Sequence, residues 1–103
     1  MGKPESRIEK KLCNGIKALG GRAYKFVSPG TGGVPDRIVC LPNGAVVFAE
    51  LKSQRGVLSK QQIHRIEELR RMKQRIYVLD SEEKVGQFLS EIGKEVSNEV
   101  HTS

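Results

Sequence analysis

The sequence predicts a single α/β domain, a central sheet with helices on both faces, in the order α-β-β-β-α-β-α. Three observations predict it. Ile8, Leu12, Ile16 and Leu19 recur at i, i+4, i+8 and i+11, one stripe of a 3.6-residue period. Two Val-, Ile- and Phe-rich segments meet at Pro42-Asn43-Gly44 and are apolar on both faces, so their sheet needs cover on both sides. Beyond them a capped helix, a strand and a second capped helix follow. With 103 residues the chain has core enough for one such domain, placed at 1–96, with 97–103 expected as a polar, disordered tail.

The first helix is read over 5–19. Gly20-Gly21 closes it, because glycine takes the left-handed conformation at a helix end without a Cβ clash. A strand follows over 22–27, with Tyr24 and Phe26 on one face. Residues 28–35 hold three glycines and two prolines and form neither helix nor central strand. Such a loop either brings backbone close to another molecule or merely connects.

Strands are read over 36–41 and 45–52. Proline at the first central position of a type I turn, and glycine at the left-handed position after it, favour a three-residue loop over a two-residue Asn-Gly turn. Ser59 caps the next helix and Gln62 completes a capping box; Ile63, Ile66 and Leu69 give its buried side. Residues 75–80 read as a strand. Ser81 caps the last helix, whose stripe is Val85, Phe88, Leu89 and Ile92.

Composition narrows the function. Lys and Arg outnumber Asp and Glu by 18 to 12, a formal charge of +6 that attracts polyanions, nucleic acid foremost. No apolar run approaches the ~20 residues that cross a membrane. The N-terminus opens polar, so no secretory leader is expected and the protein should stay in the cell that makes it. Cys13 and Cys40 lie far apart and are expected as reduced, buried small hydrophobes rather than a zinc site. His64 reads as a solvated helix side chain, and His101 lies in the tail. Arg65, Arg70, Arg71, Lys73 and Arg75 form either a phosphate-tracking face or an ordinary exposed helix side.

The three-residue loop sets Asp36 directly opposite Glu50. Their Cβ atoms would stand about 4.5–5.5 Å apart, a spacing at which like charges destabilise a sheet. Lys52 points to the same face, roughly 7 Å along the strand. Such a group is costly at the end of apolar strands unless compensated. A hard divalent cation would compensate it; so would a cross-strand ion pair, Asp36 with Lys52 or Glu50 with Arg37.

Pro35-Asp36 followed by Glu50-Leu51-Lys52 resembles the PD-(D/E)XK nuclease signature. The fuller strings Gly33-Val-Pro-Asp-Arg-Ile-Val39, Val47-Phe-Ala-Glu-Leu-Lys52 and Leu58-Ser-Lys-Gln61 are similar to its VRR-NUC (virus-type replication-repair nuclease) branch, and the likeness runs from about Glu5 to Asp80. It implies a restriction-endonuclease-like fold with a central mixed sheet, Mg²⁺ or Mn²⁺ as cofactor, and hydrolysis of DNA phosphodiesters. Small stand-alone members resemble Holliday junction resolvases, which implies branched DNA as substrate and a homodimer. Restriction-like or nicking action with a partner, and a non-catalytic nucleic-acid-binding relative, are the alternatives. Carried over by position, Asp36, Glu50 and the main-chain carbonyl of Leu51 would hold the metal, with Lys52 the catalytic lysine. Glu9 would be the first-helix glutamate, Glu5 its alternative one turn earlier. Gln61 matches a glutamine beside the site. Lys10, Lys11, Lys25, Arg37, Arg55 and Lys60 are the cations expected to contact DNA.

Overall fold

The computed structural model describes residues 4–52 and 56–101, with side chains over 6–52 and 56–98. The elements are α1 (Pro4–Ala18), β1 (Arg22–Lys25), β2 (Arg37–Cys40), β3 (Val46–Leu51), α2 (Lys60–Arg71), β4 (Ile76–Leu79) and α3 (Glu82–His101), the expected order. The sheet runs β1-β2-β3-β4, with two antiparallel pairs and a parallel β3–β4 pair that α2 connects.

Register follows from the turn. Leu41 and Ala45 close a three-residue loop, with the Leu41 N–H donating to Ala45 O at 2.9 Å and Gly44 at φ 89°. Arg37 then faces Ala49 and Cys40 faces Val46. Alternation along β2 and β3 sends Val39, Val47, Ala49 and Leu51 to one face, where they join Ile8, Leu12 and Ile16 of α1 and Val85, Phe88 and Ile92 of α3 in the main core. The helices approach closely at Gly15, where a Cβ would lie 2.3 Å from Leu89 Cδ1.

The opposite face carries Ile38, Phe48 and Glu50 and is covered by α2, whose Ile66 is buried outside the main core. The cover is partial: Tyr24 and Val46 on that face remain about half exposed, at 51% and 48%. The expectation of helices on both faces holds, though the second apolar face is only half closed. Cys13 and Cys40 are unpaired thiols but half-buried rather than buried, since Cys40 lies on the thinly covered face.

One expectation fails at the end of the chain. Residues 97–101, expected in a disordered tail, continue α3 to His101. Val96 extends the buried stripe one turn past Ile92, and Ser97, Asn98 and Glu99 contain no helix breaker. Among the described residues no helix is long and apolar enough to cross a membrane.

Candidate active site

Asp36 enters β2 directly behind Pro35, whose side chain is fully buried. Continued outward, the hairpin register brings Asp36 across from Glu50. The two ends are tied reciprocally: the Asp36 N–H donates to Glu50 Oε1 at 3.2 Å, and the Leu51 N–H donates to Asp36 Oδ2 at 2.8 Å. Glu50 is 1% exposed, the single buried charged side chain among the described residues. Burial, then the facing Asp36 carboxylate, push the Glu50 carboxyl from its ordinary 4.5 to about 7, while Lys52 pulls the other way. The Lys52 main chain is fixed by an N–H bond to Leu79 O at 3.1 Å, which seats the lysine at the β3–β4 end.

The remaining Glu50 oxygen is taken by α2. Gln62 Nε2 donates to Glu50 Oε2 at 2.8 Å, while Gln62 Oε1 accepts from the Ser59 N–H at 2.8 Å in the capping box. The family resemblance instead pointed to Gln61 as the glutamine beside the site. That side chain is exposed and packs instead on the glycine-rich loop, where a Cβ on Gly32 would meet its amide at 2.5 Å and one on Gly33 its main-chain oxygen at 2.6 Å. The close approach those glycines allow is thus to the protein's own helix, reinforced by Arg65 Nε donating to Gly32 O at 3.0 Å. The phase of α2 carried the missing signal: Gln62 stands one turn before buried Ile66, whereas Gln61 precedes Arg65.

Glu9 also reaches this end of the sheet. A cleft of about 250 Å³ is lined by Ser6, Glu9, Lys25, Phe26, Asp36, Arg37 and Leu51. Within it Glu9 is ion-paired with Arg37. Neither ion pair considered as an alternative, Asp36 with Lys52 or Glu50 with Arg37, occurs among the described residues. Arg37 points to the α1 face, one strand position out of phase with Glu50. The side chain of Glu5 and all of Arg55 lie outside the described residues.

Of the expected DNA-contacting cations, Lys25 and Arg37 line the cleft, and Lys60 is exposed at the start of α2. Lys10 is exposed on α1, beside Glu9 in an adjoining groove. Lys11 donates to Glu82 O at 2.9 Å and ties α1 to the start of α3. His64 is exposed.

The donor set suits a hard divalent cation. Two carboxylates meet with no side-chain cation paired to either among the described residues, and burial together with the facing Asp36 raises the Glu50 carboxyl to about 7 despite the pull of Lys52. No group of three His, Cys, Asp or Glu side chains gathers there among the described residues. Mg²⁺ commonly takes one or two carboxylates and completes its shell with water and phosphate, so two suffice.

Comparison with known proteins bears on this arrangement. No protein-family model matches the chain. A protein described as "Putative nuclease p44", of Acyrthosiphon pisum secondary endosymbiont phage 1, is 43% identical over 79 residues, 77% of this chain and 85% of that protein. A solved structure described as a VRR_NUC domain superposes with a TM-score of 0.81 at 28% identity, over 86% of this chain and 97% of that one.

Proposed function

From the premise that the chain belongs to the VRR-NUC family of nucleases, we propose that it is a metal-dependent DNA endonuclease working at Asp36, Glu50 and Lys52. Its substrate in this reading is branched DNA such as a four-way junction, cut by a homodimer. The observation that carries the reading is the facing pair Asp36 and Glu50, hydrogen-bonded into the sheet end and paired with no side-chain cation among the described residues.

Mg²⁺ or Mn²⁺ bound there would polarise the scissile phosphate and make the attacking water more acidic. The protein's part is positional. Asp36 and Glu50 present oxygens to the ion, with the Leu51 carbonyl beside them. Gln62 donates to Glu50 Oε2 and so orients that carboxylate. Lys52 orients the water or neutralises charge developing on phosphorus. Branched DNA fits a small domain with no evident module for reading base sequence. A two-fold pair would set two identical sites on one junction.

Cleavage of single-stranded, duplex, flap and four-way DNA, with and without Mg²⁺ or Mn²⁺, tests the proposal. Metal-dependent cutting that is fastest on the four-way substrate supports it. Preference for flaps would replace the substrate and keep the chemistry. Binding without cutting on every substrate would point to a non-catalytic relative.

A further inference from the structure

Gln62 ties α2 to Glu50, and a second tie runs from the same helix to the strand that carries Asp36. Arg65 lies three positions after Gln62 and reaches the glycine-rich loop that leads into Asp36. Its Nε donates to Gly32 O at 3.0 Å, while Nη1 donates to Glu68 Oε1 at 2.8 Å and so holds the guanidinium in line. The side chain is only 17% exposed. A cation that tracks phosphates would stand in solvent, and this one is largely covered. Apolar packing seats α2 thinly, since Ile66 is its one buried residue, so its polar ties matter more.

The loop is shaped to lie against the helix. Gly33 has φ 78°, a conformation that side chains rarely adopt, and a Cβ there would stand 2.6 Å from Gln61 O. At the base of the loop the Phe26 N–H donates to Asp36 O at 2.8 Å, so the loop closes on the aspartate itself. Only Val34 and Pro35 separate Gly33 from Asp36, and Pro35 is fully buried, its φ fixed by the ring. A link so short and stiff passes a shift at Gly32 on to Asp36.

We propose that Arg65 is a positioning residue: by holding Gly32 against α2 it fixes where the Asp36 carboxylate stands relative to Glu50. One helix thereby sets both carboxylates, Glu50 through Gln62 and Asp36 through Arg65. That the geometry serves a divalent cation rests on the nuclease reading; the positioning itself does not.

Hydrogen exchange in EDTA reads the aspartate directly, because the Leu51 N–H donates to Asp36 Oδ2 and its protection depends on that carboxylate staying in place. Leu41, whose N–H donates to Ala45 O at the far end of the hairpin, is the internal reference. Arg65→Met removes the donors and keeps the stem. It should speed Leu51 exchange about tenfold relative to Leu41, and Arg65→Lys should recover most of the protection. Gly33→Ala clashes with the Gln61 main chain and should reproduce the Arg65→Met result with the arginine intact. Arg70→Met is the matched control, since Arg70 also ties α2, from Nη2 to Ile76 O at 3.1 Å, but on a strand remote in sequence from Asp36. It should leave the ratio of the two rates unchanged. Mn²⁺ calorimetry should show about tenfold weaker binding in Arg65→Met and Gly33→Ala and wild-type binding in Arg70→Met. A wild-type exchange ratio in Arg65→Met would overturn the proposal, as would equal acceleration of both amides, the mark of a general loss of stability. Wild-type Mn²⁺ affinity in Arg65→Met would overturn it too. So would an unchanged exchange ratio joined to a slope of log K for duplex DNA against log salt lower by about 1, which would make Arg65 a phosphate contact. Wild type that binds no Mn²⁺ would count against the nuclease reading, and the exchange ratio would then decide the positioning alone.

Discussion

Gln62 donates from Nε2 to Glu50 Oε2 at 2.8 Å, while the other end of the same amide accepts from the Ser59 N–H and caps α2. One side chain thus ties the start of a helix to a buried carboxylate. Ser59→Ala removes only a cap hydroxyl and should cost about 1 kcal/mol. Gln62→Ala also strips a donor from a buried acceptor and should cost about 2–3 kcal/mol. Urea unfolding of both variants measures the difference. Equal losses would mean the Glu50 contact adds nothing beyond the cap.

Glu50 makes stability depend on pH in a direction opposite to that of a salt-bridged carboxylate. Its folded-state carboxyl titrates near 7 against an ordinary 4.5, so between those values the folded chain binds more protons than the unfolded one. Stability is therefore full below about pH 4.5 and falls as pH rises through 7, by roughly 3 kcal/mol for this group in metal-free protein. Glu50→Gln should remove that slope between about pH 5 and pH 8. Added Mg²⁺ or Mn²⁺ should restore stability at the upper end in wild type alone. Denaturant midpoints across the pH range give the readout.

Lys52 should matter to turnover and little to binding. Lys52→Ala is expected to keep DNA affinity and lose about 100-fold or more in kcat. Lys52→Arg should rescue poorly, because a planar guanidinium replaces a compact ammonium. Single-turnover cleavage with the substrate saturated separates the two effects. Near-normal turnover in Lys52→Ala would leave the lysine as a neighbour that only eases the charge on Glu50.

A homodimer should appear in light scattering at micromolar concentration as twice the monomer mass, accompanied by paired symmetric nicks on a mobile junction. A monodisperse monomer that cuts one strand of a flap would retain the metal site and overturn the junction assignment.

What the sequence makes legible is what local rules determine. Pro42-Asn43-Gly44 sets the loop length, the loop sets the register, and the register places Asp36 against Glu50. The partners that close the site come from distant elements, which local rules do not reach. The capping box accounts for Gln62 within its own helix turn, so nothing nearby announces its second contact with Glu50. Glu9 reads as a helix-start carboxylate facing the site, and only the crossing of α1 over β2 reveals Arg37 as its partner, 28 positions away. The end of α3 misleads for another reason: polar composition suggests a tail, whereas Val96 still has core to bury against.

Asp36 and Glu50 are proposed to form a metal-dependent phosphodiesterase site. The most direct measurement is cleavage of labelled four-way DNA by wild type and Asp36→Asn, each with Mg²⁺, Mn²⁺ or EDTA. Wild type should cut with either metal and not in EDTA, and Asp36→Asn should fall about 100-fold or more while remaining folded. Equal cleavage by the two proteins, or wild-type cleavage that persists in EDTA, would contradict the claim.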